Sequence, residues 1–464
     1  MTEAPQTPPA ITTLGELKAA GYTYKSVREE LRDNLIAKLQ RGENPWPGLH
    51  GLEHTVIPQV ERAIIAGHDI VLLGERGQGK TRLLRTLPLL LDDFVPAIEG
   101  SELREHPLNP ILDATRDRIA REGDATPIVW IPREARYSEK LATPDTSVAD
   151  LIGDVDPMRV AEGRRLGDPE TIHYGLIPRS NRGIVAINEL PDLAERIQVA
   201  MLNVMEEADI QIRGYMLRLP LDVLVVASAN PEDYTNRGRI ITPLKDRFGA
   251  EIRTHYPVEL DDEIRVIEQE SQLTATVPAA IMEALARFTR ALRESDAVNQ
   301  RAGVSARFAI AGAETVAASA ARRAAITGED PVARLVDLEA AVDVLGGKVE
   351  FEHGEEDRAW DILEYLLRNA VAQAVRHRLR GLDFAPLIEA LDGSTFITTG
   401  ENITAAEFLG GLPAIDGSLY DDIAATFEAA SEGERAAAIE LAVEALYLTQ
   451  KISKDSGDGE TIYG

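Results

Sequence analysis

The stretch that decides the fold reads Gly74-Glu75-Arg76-Gly77-Gln78-Gly79-Lys80-Thr81. It satisfies the pattern G-x-x-x-x-G-K-[ST], a glycine-rich loop whose backbone N–H groups surround the phosphates of a nucleotide. An apolar run at residues 70–73 precedes the loop and predicts a buried strand, and residues 81–87 predict the first turns of a helix. A chance glycine-rich turn would not carry both flanks, so the stretch is predicted to bind ATP.

Two side chains of this loop have separate expected tasks. Lys80 is expected to reach the β- and γ-phosphates, and the Thr81 hydroxyl is expected to hold Mg²⁺. The start of the following helix adds a positive dipole end beside the phosphates. ATP and Mg²⁺ are therefore the predicted ligands.

Composition narrows the class of protein. The chain has 464 residues, no cysteine and a formal net charge of −28. Its length predicts about two to four domains, and the lack of cysteine excludes disulfides, thiolate metal sites and cysteine nucleophiles. Such an acidic chain repels phosphate backbones and anionic lipid, so we expect no nucleic-acid partner, although a solvated surface explains the charge most simply.

Membrane and targeting signals are not predicted either. The sequence contains no run of about 18 apolar residues, which predicts no membrane insertion. Residues 1–9 are polar and rich in proline, unlike a secretory signal peptide. We therefore expect a cytoplasmic protein.

The pattern of apolar residues predicts an α/β P-loop core, a mainly parallel sheet flanked by helices, followed by a helical lid and a further helical region. The clearest predicted strands are 69–73, 127–131, 183–187 and 222–228. The predicted parts are an N-terminal arm and helices (1–43, with 1–12 disordered), the nucleotide-binding domain (44–256), a helical lid domain (257–350), a helical C-terminal region (351–453) and a flexible tail (454–464).

A second motif supports the nucleotide site. Residues 183–187 predict a buried strand that ends in Asn188 and Glu189. In P-loop ATPases such a strand usually ends in Asp-Glu, where the first carboxylate orients the Mg²⁺ shell and the second polarises the attacking water. Asn188 can bind a metal-bound water but adds no charge, so lower Mg²⁺ affinity is expected. Glu189 keeps the group that hydrolysis needs most.

A third motif follows after another apolar run, Val223 to Ala227. The strand leads into Ser228-Ala229-Asn230-Pro231, and Asn230 is the candidate for orienting the lytic water. Asn-Pro alone is an ordinary turn signal. The role of Asn230 therefore depends on the other two motifs.

These residues resemble the AAA+ ATPases of the MoxR and magnesium-chelatase ATPase-subunit branch. The stretch from residues 126–129 through 180–184 resembles the second strand, the helix-2 insertion and the approach to the Walker B strand of the chelatase subunit. Residues 230–232 resemble its sensor-1 segment, and Leu244-Lys245-Asp246-Arg247-Phe248 resembles the Leu-Asp-Arg-Phe box.

The resemblance covers roughly residues 45–345. It is strongest to stand-alone bacterial chelatase-like ATPases, whose Walker B segment reads Ile-Asn-Glu-Leu-Pro-Asp-Leu, as residues 187–193 do here. The last hundred or so residues match nothing that assigns them a role.

This resemblance implies a homo-oligomeric ring, a hexamer, with ATP bound between subunits. Arg247 is then the arginine finger that enters the neighbour's site, unless it is a surface arginine paired with Asp246. In Ser305-Ala306-Arg307, at the start of a lid helix, Arg307 is implied as sensor 2, with Arg301 as a competitor.

Two further segments are expected to carry motion outward. Residues 135–179 are interpreted as the helix-2 insertion, and residues 210–219 as the pre-sensor hairpin with Arg213-Gly214 near its turn. Both are candidates for contact with a substrate protein, and both could equally be structural.

The sequence thus predicts a Mg²⁺-dependent ATP hydrolase with three alternative functions. The first is MoxR-like remodelling or maturation of a partner with a von Willebrand A domain. The second is the motor subunit of a magnesium chelatase, which inserts Mg²⁺ into protoporphyrin together with other chelatase subunits. The third, suggested by Asn188, is a nucleotide-gated scaffold with weak turnover.

Overall fold

A computed structural model describes residues 7–156, 158, 171–206, 209–212, 215–230, 238–299, 303–392, 395–457 and 459–464, with the backbone alone for 209–212, 215–217 and 392. The chain divides into two compact units, Met1–His255 and Tyr256–Gly464. Each unit has its own hydrophobic core.

The first unit combines helices and strands along its whole length. Its helices are α1 (Leu14–Ala19), α2 (Val27–Gln40), α3 (Ile57–Ile65), α4 (Lys80–Thr86), α5 (Asp113–Glu122), α6 (Val148–Leu151), α7 (Leu176–Arg179), α8 (Glu195–Glu206) and α9 (Thr242–Arg247). Its strands are β1 (Ile70–Leu73), β2 (Phe94–Ile98), β3 (Ile128–Pro132), β4 (Tyr137–Leu141), β5 (Gly153–Val155), β6 (Ile172–Tyr174), β7 (Gly183–Asn188), β8 (Asp209–Ile212), β9 (Tyr215–Arg218), β10 (Val223–Ala229) and β11 (Ala250–Arg253).

A five-stranded sheet organises this unit, in the order β11-β1-β10-β7-β4. Every neighbouring pair in it is parallel. Helices pack on both faces, so the central strands are buried on both sides and read as continuous apolar runs. The α/β P-loop fold class expected from the sequence is confirmed.

Alternate side chains of the central strands enter two different cores. Ile70 and Leu72 of β1 pack in the cluster that includes Leu31 of α2 and Val60 of α3. Val71, one position along, packs in the cluster on the other face, because successive side chains of a strand point to opposite sides. The central strands thus lie between two apolar clusters, and the glycine-rich loop follows directly after β1.

One predicted strand belongs to a different sheet. Residues 127–131 fall on β3, which pairs antiparallel with β2 outside the central sheet. The second strand of the central sheet is β4, which pairs with β7. Its sequence, Tyr-Ser-Glu-Lys-Leu, lacks an apolar run because β4 is an edge strand and is only half-buried.

The stretch 135–179 is therefore not an insertion throughout. It begins with β4 of the central sheet and continues into α6 and the antiparallel pair β5–β6. Residues 157 and 159–170 of this stretch lie outside the described residues.

The N-terminal segment contacts β3 from residue 11 onward, within the arm that was predicted to be disordered. Of the arm predicted at residues 1–12, residues 1–6 lie outside the described part. Ile11 accepts a hydrogen bond from Trp130 Nε1 at 2.8 Å, and Thr12 accepts one from the Ile128 N–H at 2.9 Å. The helices predicted between residues 14 and 42 are present as α1 and α2, each begun by a capping box.

The hairpin predicted at residues 210–219 is present as β8 and β9, which pair antiparallel. Its predicted turn, residues 213–214, lies outside the described residues.

The second unit is mainly helical. Its helices are α10 (Leu260–Glu270), α11 (Ala279–Glu294), α12 (Ala306–Thr327), α13 (Leu335–Leu345), α14 (Ala359–Arg376), α15 (Ala385–Asp392), α16 (Ala405–Gly410), α17 (Leu419–Thr426) and α18 (Glu432–Leu448). Its strands are β12 (Ile397–Gly400), β13 (Lys454–Gly457) and β14 (Glu460–Tyr463). Among the described helices, none is long and apolar enough to cross a membrane.

The segment predicted as a flexible tail, 454–464, is folded. β14 lies between β12 and β13 and pairs antiparallel with both. Tyr463 is 1% exposed, and its hydroxyl donates to Glu444 at 2.5 Å. Lys454 donates to the same carboxylate at 3.0 Å. Asp455 and Gly457 of this segment lie on β13.

Candidate functional site

The glycine-rich loop joins β1 to α4, as its motif requires. Gly77 and Gly79 have φ of 79° and 76°, a left-handed conformation that glycine adopts without strain. Lys80 begins α4 and is 7% exposed. Its Nζ donates to the carbonyl of Gly74 and to that of Glu75 at 2.7 Å. The ammonium group therefore lies against the loop itself, where phosphate oxygens are expected to bind.

Gly74 lies in the tightest place of the loop. A Cβ built there would collide with Thr254 Oγ1 and with Gln78 Oε1. Those two atoms are hydrogen-bonded to each other at 2.8 Å, and Gln78 Oε1 also accepts from the Glu75 N–H at 3.0 Å. Residues at the end of β11 thus hold the loop, so its shape depends on a glycine at position 74.

Two more predicted strand ends lie at the same edge of the sheet as the loop. β10 lies between β1 and β7, with Leu73 opposite Ala229 and Ala227 opposite Ile187. Asn188 ends β7 and Asn230 follows β10; they are 7% and 4% exposed. The structure therefore gathers the three motifs at one sheet edge, although Pro231 and Glu232 of the third lie outside the described residues.

Glu189 has an uncommon backbone conformation. Its φ of 55° is left-handed, which non-glycine residues adopt rarely and often at functional sites. Its N–H donates to Ser228 Oγ at 3.3 Å, and Ser228 in turn donates to Asn188 Oδ1 at 3.1 Å. Ser228 thus ties the ends of β7 and β10 together.

A hydrogen-bond network that the motifs do not reveal surrounds Asn188. Asn188 Nδ2 donates to Glu139 Oε1 at 2.7 Å. Arg85 of α4 contacts both oxygens of Glu139, through Nε at 2.8 Å and through a terminal nitrogen at 3.0 Å. Hydrogen bonding to Arg85 lowers the pKa of Glu139 below its ordinary value. The carboxylate of Glu139 is therefore charged at neutral pH.

Arg247 lies away from the loop of its own chain. It ends α9, which precedes β11, and β11 runs parallel to β1 with Ala250 opposite Ile70. Arg247 is thus at the sheet edge where strands begin, whereas the loop is at the edge where they end. Its exposed guanidinium donates to the Met205 carbonyl at 2.9 Å. Among the described residues, no ion pair joins it to Asp246.

Arg307 belongs to the second compact unit. It is the second residue of α12 and is exposed. Arg301, its competitor, lies outside the described residues. Sensor 2 at Arg307 remains a prediction.

Sequence reasoning missed Glu139, Arg85 and Thr254. Glu139 lies on β4, an edge strand whose polar sequence does not predict a strand. The sequence signal for Glu139 is Asn188, because an amide at a position that usually holds a carboxylate indicates that a negative charge lies nearby.

The donors present fit ATP and Mg²⁺. Mg²⁺ prefers oxygen ligands and keeps several waters, and the Thr81 hydroxyl and the Asn188 amide oxygen are such groups. The loop offers a lysine and glycines in the conformation that a phosphate cradle needs. The roles of the individual residues are proposals, taken up below.

Comparison with known proteins gives distant relatives, several of which are magnesium-chelatase subunits. The magnesium-chelatase 38 kDa subunit of Acidiphilium rubrum is 26% identical over 345 residues, 70% of this chain and 86% of that protein. The subunit of the same name from Rhodobacter capsulatus is 26% identical over 246 residues, 52% of this chain and 63% of that protein. With the latter, the match thus spans less than two thirds of the relative's own length. No protein-family profile matches the chain.

A likeness to solved structures is weaker. For a BchI–BchD complex of magnesium chelatase built on a cryo-EM reconstruction, identity is 21%, coverage 68% of this chain and 98% of that chain, and the TM-score 0.34. A TM-score this low supports no argument about function.

The relatives confirm the resemblance to chelatase subunits, while nothing among them bears on MoxR. With its P-loop, its parallel sheet and these homologues, the chain is a distant relative of the magnesium-chelatase ATPase subunits, which are AAA+ ATPases.

Proposed function

We propose that this chain is a Mg²⁺-dependent ATP hydrolase that works in a homo-oligomeric ring, a hexamer. The observation that carries the proposal is the position of Lys80, Asn188, Glu189 and Asn230 at one edge of the parallel sheet. Exposed Arg247 at the opposite edge supports a ring, because it suits contact with a neighbouring subunit better than with its own loop.

Each residue has a distinct proposed task. Lys80 and the amides of residues 74–79 bind the phosphates, and Thr81 and Asn188 place Mg²⁺ through oxygen atoms. Mg²⁺, when bound, neutralises charge on the phosphate oxygens. Glu189 accepts a proton from the attacking water and Asn230 orients that water.

Two arginines complete the proposed site. Arg247 stabilises the charge that develops on the transferred phosphoryl group in the neighbouring subunit. Arg307 contacts the γ-phosphate of its own subunit and reports hydrolysis to the lid, which residues 257–350 are proposed to form.

We propose that turnover drives the remodelling of a partner protein with a von Willebrand A domain, as in the MoxR branch that the motifs resemble. The proposed contact segments are the hairpin β8–β9 and the stretch 135–179 apart from β4, which belongs to the central sheet. A second candidate is the motor of a magnesium chelatase with chelatase subunits as partners, and the relatives favour it. A nucleotide-gated scaffold with weak turnover is the third, favoured by Asn188 alone.

A trapped variant tests these functions. Glu189→Gln should bind ATP without hydrolysing it, because the water loses its base, and should hold its client. The variant is used to capture partners from native lysate with ATP, followed by mass spectrometry. Lys80→Ala, which should not bind nucleotide, is the matched control.

The outcomes separate the candidates. Recovery of a von Willebrand A protein with Glu189→Gln alone supports remodelling. Recovery of a porphyrin-binding chelatase subunit instead makes the chelatase motor the preferred function. Identical partner lists from the two variants would show that ATP does not gate partner binding, and the remodelling proposal would fall.

A further inference from the structure

The end of β7 departs at one position from the usual Asp-Glu pair. By sequence alone, Asn188 costs the site a negative charge. The structure adds a carboxylate nearby, because Glu139 Oε1 lies 2.7 Å from Asn188 Nδ2. Glu139 is carried by β4, the neighbour of β7 in the sheet.

An aspartate at position 188 would oppose this neighbour. Ionised carboxylates only accept hydrogen bonds, so two of them at this distance would share no proton and would repel each other. The effect is stronger than in water because position 188 is buried. Asn188 instead donates to Glu139 and accepts from Ser228, so both ends of its amide have partners.

We propose that Glu139 is a positioning residue of the ATPase site and that Glu139 and Asn188 form a matched pair. In this pair the carboxylate usual at the end of β7 is carried by the neighbouring strand, and it acts through Asn188. The inference rests on the proposed function, since positioning bears on turnover only if the site hydrolyses ATP. It reverses the expectation that Asn188 is a defect.

Arg85 extends the pair to the phosphate-binding helix. It contacts both carboxylate oxygens of Glu139, a two-point geometry that fixes the carboxylate plane. On α4, Arg85 lies four residues after Thr81, so the two side chains share a helix face. The helix that carries Thr81 is therefore connected to Asn188 through Arg85 and Glu139.

Glu139 also strengthens the acceptor that Asn188 presents. Donation to an ionised acceptor polarises the amide, because hydrogen bonds in a chain reinforce each other. The Asn188 oxygen accepts from Ser228 and retains a second lone pair for a metal-bound water. An amide held in this way takes over the orienting task of an aspartate.

A double-mutant cycle tests the pair through thermal unfolding of the protein without ATP or Mg²⁺. Asn188→Asp should lower Tm by about 3 to 6 °C through carboxylate repulsion. Adding Glu139→Gln should restore most of that loss, because the introduced amide donates to the introduced carboxylate. Glu139→Gln alone supplies the fourth corner of the cycle.

The same four proteins are compared for ATPase turnover and for the Mg²⁺ concentration at half-maximal rate. Asn188→Asp should lose about tenfold or more in turnover, and the double variant should recover to within about threefold of the parent. Rescue by a second substitution is a result that a merely structural role would not give. Glu122→Gln is the matched control, since Glu122 is a surface partner of Arg118, and it should change neither quantity.

Two results would overturn the pair. One is an Asn188→Asp variant that is at least as active as the parent and reaches half of its maximal rate at a lower Mg²⁺ concentration. The other is a double variant whose Tm loss equals the sum of the two single losses. If the parent shows no ATPase activity, the proposed function fails. The Tm values of the four proteins still show whether Glu139 and Asn188 interact, because an interaction makes the two single changes non-additive.

Discussion

Arg247 is the residue whose assignment has the sharpest consequence. It is exposed and lies at the sheet edge opposite its own loop. We expect Arg247→Ala to keep ATP binding and to lose turnover by about a thousandfold or more, because an arginine finger acts mainly on the transition state. Nucleotide binding and steady-state hydrolysis measure the two effects.

Lys245→Ala is the matched control, a cation of the same short helix that pairs with Glu251 at 2.8 Å. It should retain turnover. Full activity of Arg247→Ala would remove the arginine-finger assignment and weaken the ring proposal.

His106 gives a prediction for pH at the residue scale. Burial lowers its pKa to about 3 from an ordinary 6.5, with a smaller effect of Arg182. Below pH 6.5 the unfolded chain gains a proton that the folded one refuses until about pH 3, so stability falls across this window. Between pH 7 and pH 5 the loss from His106 is about 2 kcal/mol.

His106→Gln should therefore flatten the dependence of unfolding free energy on pH between 7 and 5, measured by denaturant titration. His353→Gln, at an exposed histidine, is the matched control variant for this measurement. An unaltered slope in His106→Gln would mean that the pKa of His106 is not lowered in the folded protein.

Residues show where sequence reasoning works and where it stops. The loop, Asn188, Glu189 and Asn230 were found because their spacing along the chain follows a motif. Glu139 lies far from Asn188 in sequence and meets it only through strand pairing. Contacts of that kind depend on sheet order, which a single sequence does not state.

At the scale of elements, the terminal hairpin carries a buried charge network. Lys454 donates to Glu339 at 3.1 Å and to Glu444 at 3.0 Å, and its side chain is 8% exposed. Lys454→Met should destabilise the protein by about 3 kcal/mol, because it leaves Glu444 buried without its counter-charge. Chemical unfolding measures the loss.

Lys451→Met, at an exposed lysine just before the hairpin, is the control and should change stability by less than about 0.5 kcal/mol. Equal stability of the two variants would show that the network contributes little to the stability of the folded protein.

Among the elements, the central strands were predicted from their apolar patterns, whereas β4 and the terminal hairpin were not. β1, β7 and β10 are central strands buried on both faces, so their sequences are continuous apolar runs. β4 is half-buried at the sheet edge and its polar residues hid it. The terminal hairpin was hidden for another reason, since its glycines and aspartates are as typical of turns as of mobile tails.

At the scale of the whole molecule, the ring proposal predicts complementation. Glu189→Gln chains lack the base and Arg247→Ala chains lack the finger, so each should be inactive alone. Mixed before assembly, they form interfaces where an intact Glu189 meets an intact Arg247. We expect the mixture to recover up to about a quarter of the parent activity, measured as ATP hydrolysis, because about one interface in four has both groups if subunits assort randomly.

Two chains of the same variant cannot make this interface, so each variant mixed with itself is the control. A mixture as inactive as its components would show that Glu189 and Arg247 do not act across one interface.

The two opposite sheet edges have one more consequence, for how activity depends on protein concentration. In the proposed ring each centre combines Glu189 of one chain with Arg247 of another, so a solitary chain would bear halves of two centres and complete neither. An incomplete ring would leave one catalytic centre without its second half, and closure of the ring would complete that centre. Specific activity should therefore rise steeply with concentration and vanish on dilution while the chains stay folded. The amount of protein in solution then decides what fraction of it is an enzyme.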